Sequence, residues 1–212
     1  MKIVRLAGLA LAAVTALSLV AVSVASAAEP LFVPGTGKFT ELTGELDWSA
    51  AGETVTCEKS SSPGSIRNPH LLLVILHFLG CKAKTAAGAT CEVQSVGAPA
   101  KNLVITEHLL GILGLILPST PGILLLPLPT STWFTLSGAC VVTTKVTGNL
   151  TSEVEAGVGL RLTGKEVFSE RVGKHFISSL GTLYISKFVG FGEPMVWTTT
   201  ATIDWGQLTE VT

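Results

Sequence analysis

The sequence predicts an all-β fold, an antiparallel two-sheet sandwich or a closed barrel, behind an N-terminal signal helix. Three observations predict it. Short alternating runs with turn residues between them recur about every ten residues from Phe39 onward, the spacing of strand plus turn in antiparallel sheets. Val and Thr dominate those runs, and branched side chains pack well on a pleated surface. Only 14% of the residues are charged, against about 25% in ordinary soluble domains, so Ser, Thr and Gly must supply much of the polar surface.

The elements follow in order. Lys2 and Arg5 precede an apolar run from Leu6 to Val24, and Ala25-Ser26-Ala27 supplies small residues at a cleavage position. This is the pattern of a secretory signal peptide over residues 1–27. It leaves 185 residues, 28–212, for one secreted β domain with a real core. Phe39-Thr40-Glu41-Leu42-Thr43 alternates with period two, and Leu46-Asp47-Trp48 leads to a turn at Ala51-Gly52. Thr54 to Cys57 resumes as strand, and the Ser60-Ser61-Ser62-Pro63-Gly64 cluster reads as a loop. Leu71 to Leu79 is continuously apolar and reads as a strand buried on both faces, or a short helix.

The most apolar stretch runs from Leu109 to Leu126, interrupted by Pro118-Ser119-Thr120-Pro121-Gly122. Pro121-Gly122 suits the centre of a type II turn, where Pro fixes φ and Gly accepts φ > 0. The reading is an apolar hairpin; a helix from Glu107 to Leu117 competes, against the cost of Gly111 and Gly114 in a helix interior. Beyond Cys140, Val141–Val146, Leu150–Val154 and Leu160–Thr163 read as strands. Phe176–Phe188 and Val196–Trp205 read as two closing strands, with Thr199, Ala201 and Ile203 on one face of the last.

Cys57, Cys81, Cys91 and Cys140 are an even set in a chain with a secretory leader, which reads as two disulfides. Three pairings are open. Cys81–Cys91, closing a short loop, with Cys57–Cys140 joining distant strands, is the favoured one. Zinc is disfavoured, because no pair has C-x-x-C spacing and the four His are scattered.

Taken together, Thr56-Cys57 with its Ser-Pro-Gly-Ser-Ile loop, Leu79-Gly80-Cys81, Cys91, the run Leu103 to Gly111, Gly138-Ala139-Cys140 and Val146-Thr147-Gly148-Asn149-Leu150 carry a resemblance. The chain resembles a family of uncharacterised secreted β proteins of soil actinobacteria. The resemblance covers most of the chain after the leader and implies an extracytoplasmic β domain. It implies no activity. The hairpin at 109–126 is more hydrophobic here than the family pattern.

Chemistry is sparse. Without residues 1–27 the chain has 12 basic against 15 acidic residues, a net charge of −3, so no basic patch recommends a nucleic-acid partner. No Gly-x-Ser-x-Gly elbow is present. Glu107-His108 is the one acid beside a His, yet neighbours on a strand point to opposite faces. His70 and His77 are an odd number of residues apart and diverge for the same reason. Glu153 and Glu155 share a face but read as solvated, and Trp48, Trp133, Trp197 and Trp205 read as packing residues before a sugar platform. No cofactor is implied.

The functional expectation is therefore a non-catalytic binding or structural module of the cell envelope. A secreted hydrolase with a dispersed site is the alternative from another class, so enzyme status stays open. A third reading makes the hairpin a surface for an apolar ligand, a protein or the envelope, through Leu109, Leu110, Ile112, Leu113, Leu124 and Leu125.

Overall fold

A computed structural model describes residues 30–33, 35–154, 161–169, 174–179 and 181–211. The expected signal peptide lies outside the described residues, as do the side chains of Glu155 and Trp205. The described chain is all strand and turn: β1 (Phe32–Val33), β2 (Gly37–Thr43), β3 (Leu46–Ala50), β4 (Glu53–Cys57), β5 (Lys59–Asn68), β6 (Leu71–Val74), β7 (His77–Leu79), β8 (Lys82–Lys84), β9 (Thr90–Ser95), β10 (Leu103–Ile105), β11 (His108–Ile116), β12 (Thr120–Leu128), β13 (Thr132–Gly138), β14 (Val141–Val154), β15 (Arg161–Ser169), β16 (His175–Ser178), β17 (Leu183–Ile185), β18 (Lys187–Gly190), β19 (Glu193–Pro194) and β20 (Val196–Val211). All belong to one antiparallel hydrogen-bonded network.

The short strands are segments of a few long ones. β2 with β3 faces β5 with β4 in a single register, from Gly37 opposite Ile66 to Ala50 opposite Glu53. The turn between them is Ala51-Gly52, both at positive φ (53° and 76°), the backbone of a mirror-type hairpin turn. β6, β7 and β8 run along the far side of β5 and β4. β11, β10 and β9 then pair with β6, β7 and β8. β12 and β13 pair onward to β14, and β14 pairs with both β15 and β18. β20 pairs with β15 on one side and with β2 and β3 on the other. The chain is thus an up-and-down meander, the cheapest way to pair antiparallel strands through short turns.

Alternation decides what fills the interior. Trp48, Val55, Phe78, Ala83, Val93, Leu136, Val146 and Trp197 are buried, while the strand neighbours Asp47, Ser49, Lys82, Glu92 and Val196 are exposed. Trp48 packs edge-on against Phe78 (4.8 Å) and Trp197 (6.0 Å), and Trp133 packs against Phe188 (5.0 Å). The Trp133 indole N–H donates to the Gly148 carbonyl at 2.9 Å, which satisfies the one polar atom of a buried ring.

Where ladders break, hydroxyls replace carbonyls. Between β6 and β7, Leu76 N–H donates to Thr106 Oγ1 (2.9 Å) and His77 N–H to Ser62 Oγ (3.2 Å). Ile105 N–H donates to Ser95 Oγ (3.0 Å). An unpaired buried N–H is costly, which explains why Ser62, Ser95 and Thr106 are buried.

Several expectations are corrected. Ser60–Gly64 is not a loop but the first half of β5. Ser60 bonds Thr43 and Ser62 takes His77, while a Cβ at Gly64 would overlap the Phe39 ring. Leu71–Leu79 is β6 and β7, with only alternate residues fully buried. Phe176–Phe188 is broken into β16, β17 and β18. The 109–126 hairpin forms as strands, not helix, but its turn is at residues 117–119; Pro121 and Gly122 lie inside β12, opposite Leu115 and Gly114. Gly122 does not adopt the positive φ that a type II turn would require. It is needed instead for close approach, since a Cβ there would meet the Ser152 carbonyl at 2.6 Å.

The disulfides are Cys57–Cys81 and Cys91–Cys140, not the favoured pairing. The register is the reason. β4 and β8 place Cys57 beside Cys81, whereas β8 and β9 set Cys91 opposite Ala83, and β9 with β13 aligns Cys91 toward Cys140. Each bridge joins neighbouring strands.

Candidate functional site

The hairpin that the sequence offers as a contact surface is interior. Leu109, Ile112, Leu113, Leu124 and Leu125 are all buried, and Leu110 is half-buried. One face, with Leu109, Leu113, Ile123 and Leu125, belongs to the main core. The other carries Ile116 and Leu124, which pack with Phe176 beside Leu126 and Tyr184. Apolar residues on both faces of the hairpin are thus already satisfied within the chain, and the contact-surface expectation for these six residues is corrected.

The polar candidates stay apart. Glu107 and His108 are both exposed, and the Glu107 backbone N–H donates to Trp133 O. Glu153 pairs with Lys174 at 3.5 Å. Trp48, Trp133 and Trp197 are buried ring-packing residues. Among the described residues no group of three or more His, Cys, Asp or Glu is placed to hold a metal ion.

What the structure does assemble is an open cleft of about 330 Å³ over the outer side of β9 and β13. Cys91, Glu92 and Gln94 come from β9, Ser137 and Gly138 from β13, Ala139 from the turn that follows, and Lys101 from the loop between β9 and β10. Gln94 and Ser137 stand opposite each other in the ladder, and the Ser137 hydroxyl donates to the Gln94 carbonyl (3.4 Å). A Cβ at Gly138 would lie 2.8 Å from the Glu92 carbonyl, so glycine lets the two strands approach. The Cys91–Cys140 bridge fixes one end, with the Cys140 N–H donating to Cys91 Sγ at 3.0 Å. Residues bearing a carboxylate, an ammonium, an amide and a hydroxyl therefore line one surface beside a covalent link. Such a set can hold a polar ligand by hydrogen bonds and charge.

No single stretch of sequence marks this cleft. Glu92 and Ser137 lie 45 positions apart, and only the cysteines beside them signal that the two segments meet. No family model, no curated protein and no solved structure matches the chain.

Proposed function

We propose that the chain is an extracytoplasmic, non-catalytic binding module of the cell envelope, built as a β barrel, that takes a polar group in the β9–β13 cleft. The observation that carries this reading is the cleft itself: Glu92, Gln94, Lys101 and Ser137 gathered around one end of a disulfide. The two disulfides favour an oxidising compartment, which accords with the signal-peptide pattern and with the resemblance to secreted actinobacterial β proteins. The circuit of ladders from β2 round to β20 supports a barrel over a sandwich. Burial of the hairpin speaks against an apolar-ligand or membrane role for it. The hydrolase reading gains no support from the separated acids and histidines.

The test is co-sedimentation of the purified, oxidised protein with isolated cell envelopes, beside a charge-reversed double variant, Glu92→Lys with Lys101→Glu. Wild type should pellet with the envelopes, and the variant, with an unchanged melting temperature, should stay in the supernatant. Equal pelleting of both proteins, or none of either, would refute the cleft as the binding surface.

A further inference from the structure

The two disulfides differ in what surrounds their sulfurs. Cys57 and Cys81 are fully buried in the main core. Cys91 and Cys140 are half-buried, and Cys91 lines the open cleft. The segments that this second bridge joins are already held by their ladders. Gly138 stands opposite both Val93 of β9 and Val141 of β14, so the neighbours of each cysteine are paired without the bridge. Cys140 itself lies in the turn between β13 and β14. Opening the bond breaks no ladder. Within the bridge, the two sulfurs face opposite kinds of group. Cys91 Sγ accepts the Cys140 backbone N–H at 3.0 Å. Cys140 Sγ lies 3.9 Å from the Ala83 carbonyl oxygen. Ala83 is the residue opposite Cys91 in the β8–β9 ladder, so the register fixes that carbonyl's place. An N–H donor stabilises a thiolate, whereas a carbonyl oxygen repels one and accepts from a thiol S–H. Lys101 and Glu92 both line the cleft and bear opposite charges, so the backbone groups set the bias. In the reduced pair Cys91 is suited to carry the charge and Cys140 the proton.

We propose that Cys91–Cys140 is a redox-active bridge, opened and remade in the folded protein by exchange with a dithiol reductant, with Cys91 as the leaving thiolate. One thiolate of the reductant attacks Cys140 Sγ. The Cys91–Cys140 bond breaks, and its electron pair stays on Cys91. The second thiol of the reductant, once deprotonated, attacks the reductant's own sulfur in the mixed disulfide and expels Cys140. Cys140 takes up one of the reductant's two protons, and the other goes to solvent. The reductant loses two electrons and becomes a disulfide, and the chain gains them as a thiolate and a thiol. Exchange is faster when the leaving thiolate is the better stabilised one, and exposed bridges are the labile, regulatory ones. Both conditions single out this bridge and this direction of attack. Reduction replaces a disulfide in the cleft wall by the Cys91 thiolate, so exchange changes what the wall presents. The inference goes beyond the reading of the cleft as a site for a polar group and does not depend on it.

The experiment equilibrates the oxidised protein, without denaturant, against graded ratios of reduced and oxidised dithiothreitol. Acid quenching, alkylation and peptide mass mapping follow each bridge, while circular dichroism follows the fold. Cys91–Cys140 should open and re-form with the fold signal unchanged, and Cys57–Cys81 should stay closed. A second arm assigns the sulfurs through Cys140→Ser and Cys91→Ser, each of which leaves one thiol at the site. The Cys140→Ser protein keeps the backbone N–H at position 140 that Cys91 Sγ accepts. Its Cys91 should react with iodoacetamide at mildly acidic pH about tenfold faster than Cys140 does in the Cys91→Ser protein, because the thiolate is the nucleophile. Where either variant fails to fold, competitive alkylation of the reduced wild type, mapped by mass, gives the same ratio. A bridge that opens only as the fold is lost, equal alkylation of the two thiols, or a faster Cys140 would each overturn the proposal.

Discussion

The two halves of the interior are packed by opposite means. Around Trp48, Phe78, Phe134, Trp133, Phe188 and Trp197, large rings meet edge-on or tilted, and one disulfide, Cys57–Cys81, is buried in the same core. Leu109, Leu113, Ile123 and Leu125 are aliphatic, and the strands there approach closely through Gly111, Gly114 and Gly122. Added Cβ atoms at those glycines would strike Leu72, the Ile177 carbonyl and the Ser152 carbonyl. One half fills space with side chains, and the other removes the space by drawing backbones together. The first should fail by cavity, the second by overpacking or by charge.

The largest effect is expected in the aliphatic half. Leu113 is completely buried, and Leu113→Lys would place an ammonium where no partner waits. We expect no cooperative thermal transition and little soluble oxidised protein. Val142→Lys, at an exposed apolar position, should melt as wild type does. Equal tolerance of both changes would mean that the hairpin is not core. Next comes the aromatic half. Trp48→Ala should lose about 3–5 kcal/mol, the range for a large ring deleted from a packed core. Urea unfolding, followed by circular dichroism, would measure it. A loss below that range would show that the surrounding rings collapse into the gap.

The contrast also explains which features could be read from the chain. Alternation was legible wherever one strand face meets the core. In β3, Leu46, Trp48 and Ala50 are buried and Asp47 and Ser49 exposed; in β20, Thr199, Ala201 and Ile203 are buried and Thr200 and Thr202 exposed. The hairpin was legible as a hairpin. Local chemistry misled where a distant contact decided the outcome. Ser60–Gly64 has every turn residue, yet Thr43, His77 and Phe39 hold it as strand. Pro121-Gly122 looks like a turn, but Gly122 is there for the Ser152 carbonyl. Pairing of the cysteines depends on register, which no loop length reveals. The cleft was not legible at all, because its polar groups come from two strands and a loop, each unremarkable alone.

The disulfides allow a third test of the same contrast. Cys57 and Cys81 are fully buried, whereas Cys91 and Cys140 are half-buried beside the cleft. Under native conditions a mild reductant should open Cys91–Cys140 first, with Cys57–Cys81 released only on global unfolding. Alkylation followed by peptide mass mapping distinguishes the two. Removing either bridge by paired Cys→Ala changes should cost about 2–4 kcal/mol. Simultaneous reduction of both would show that the cleft end has no independent opening. In the aliphatic half, Gly122→Ala should cost roughly 1–3 kcal/mol by overpacking, although alanine would stabilise an unconstrained strand.

The smallest effect concerns the seam between the halves, where β6 gives way to β7. There the Leu76 N–H has lost its ladder partner and is taken by Thr106 Oγ1 at 2.9 Å, while Thr106 N–H donates back to Leu76 O. Thr106→Val keeps the branched shape and the backbone bond but leaves one buried donor unpaired. That should cost about 1–2 kcal/mol. Thr106→Ser keeps the oxygen and loses a methyl, so it should retain the hydrogen bond and most of the stability. If serine costs as much as valine, the methyl's packing matters more than the bond, and the seam is held by shape. If valine alone is costly, a single hydroxyl lets two differently packed halves share one continuous meander.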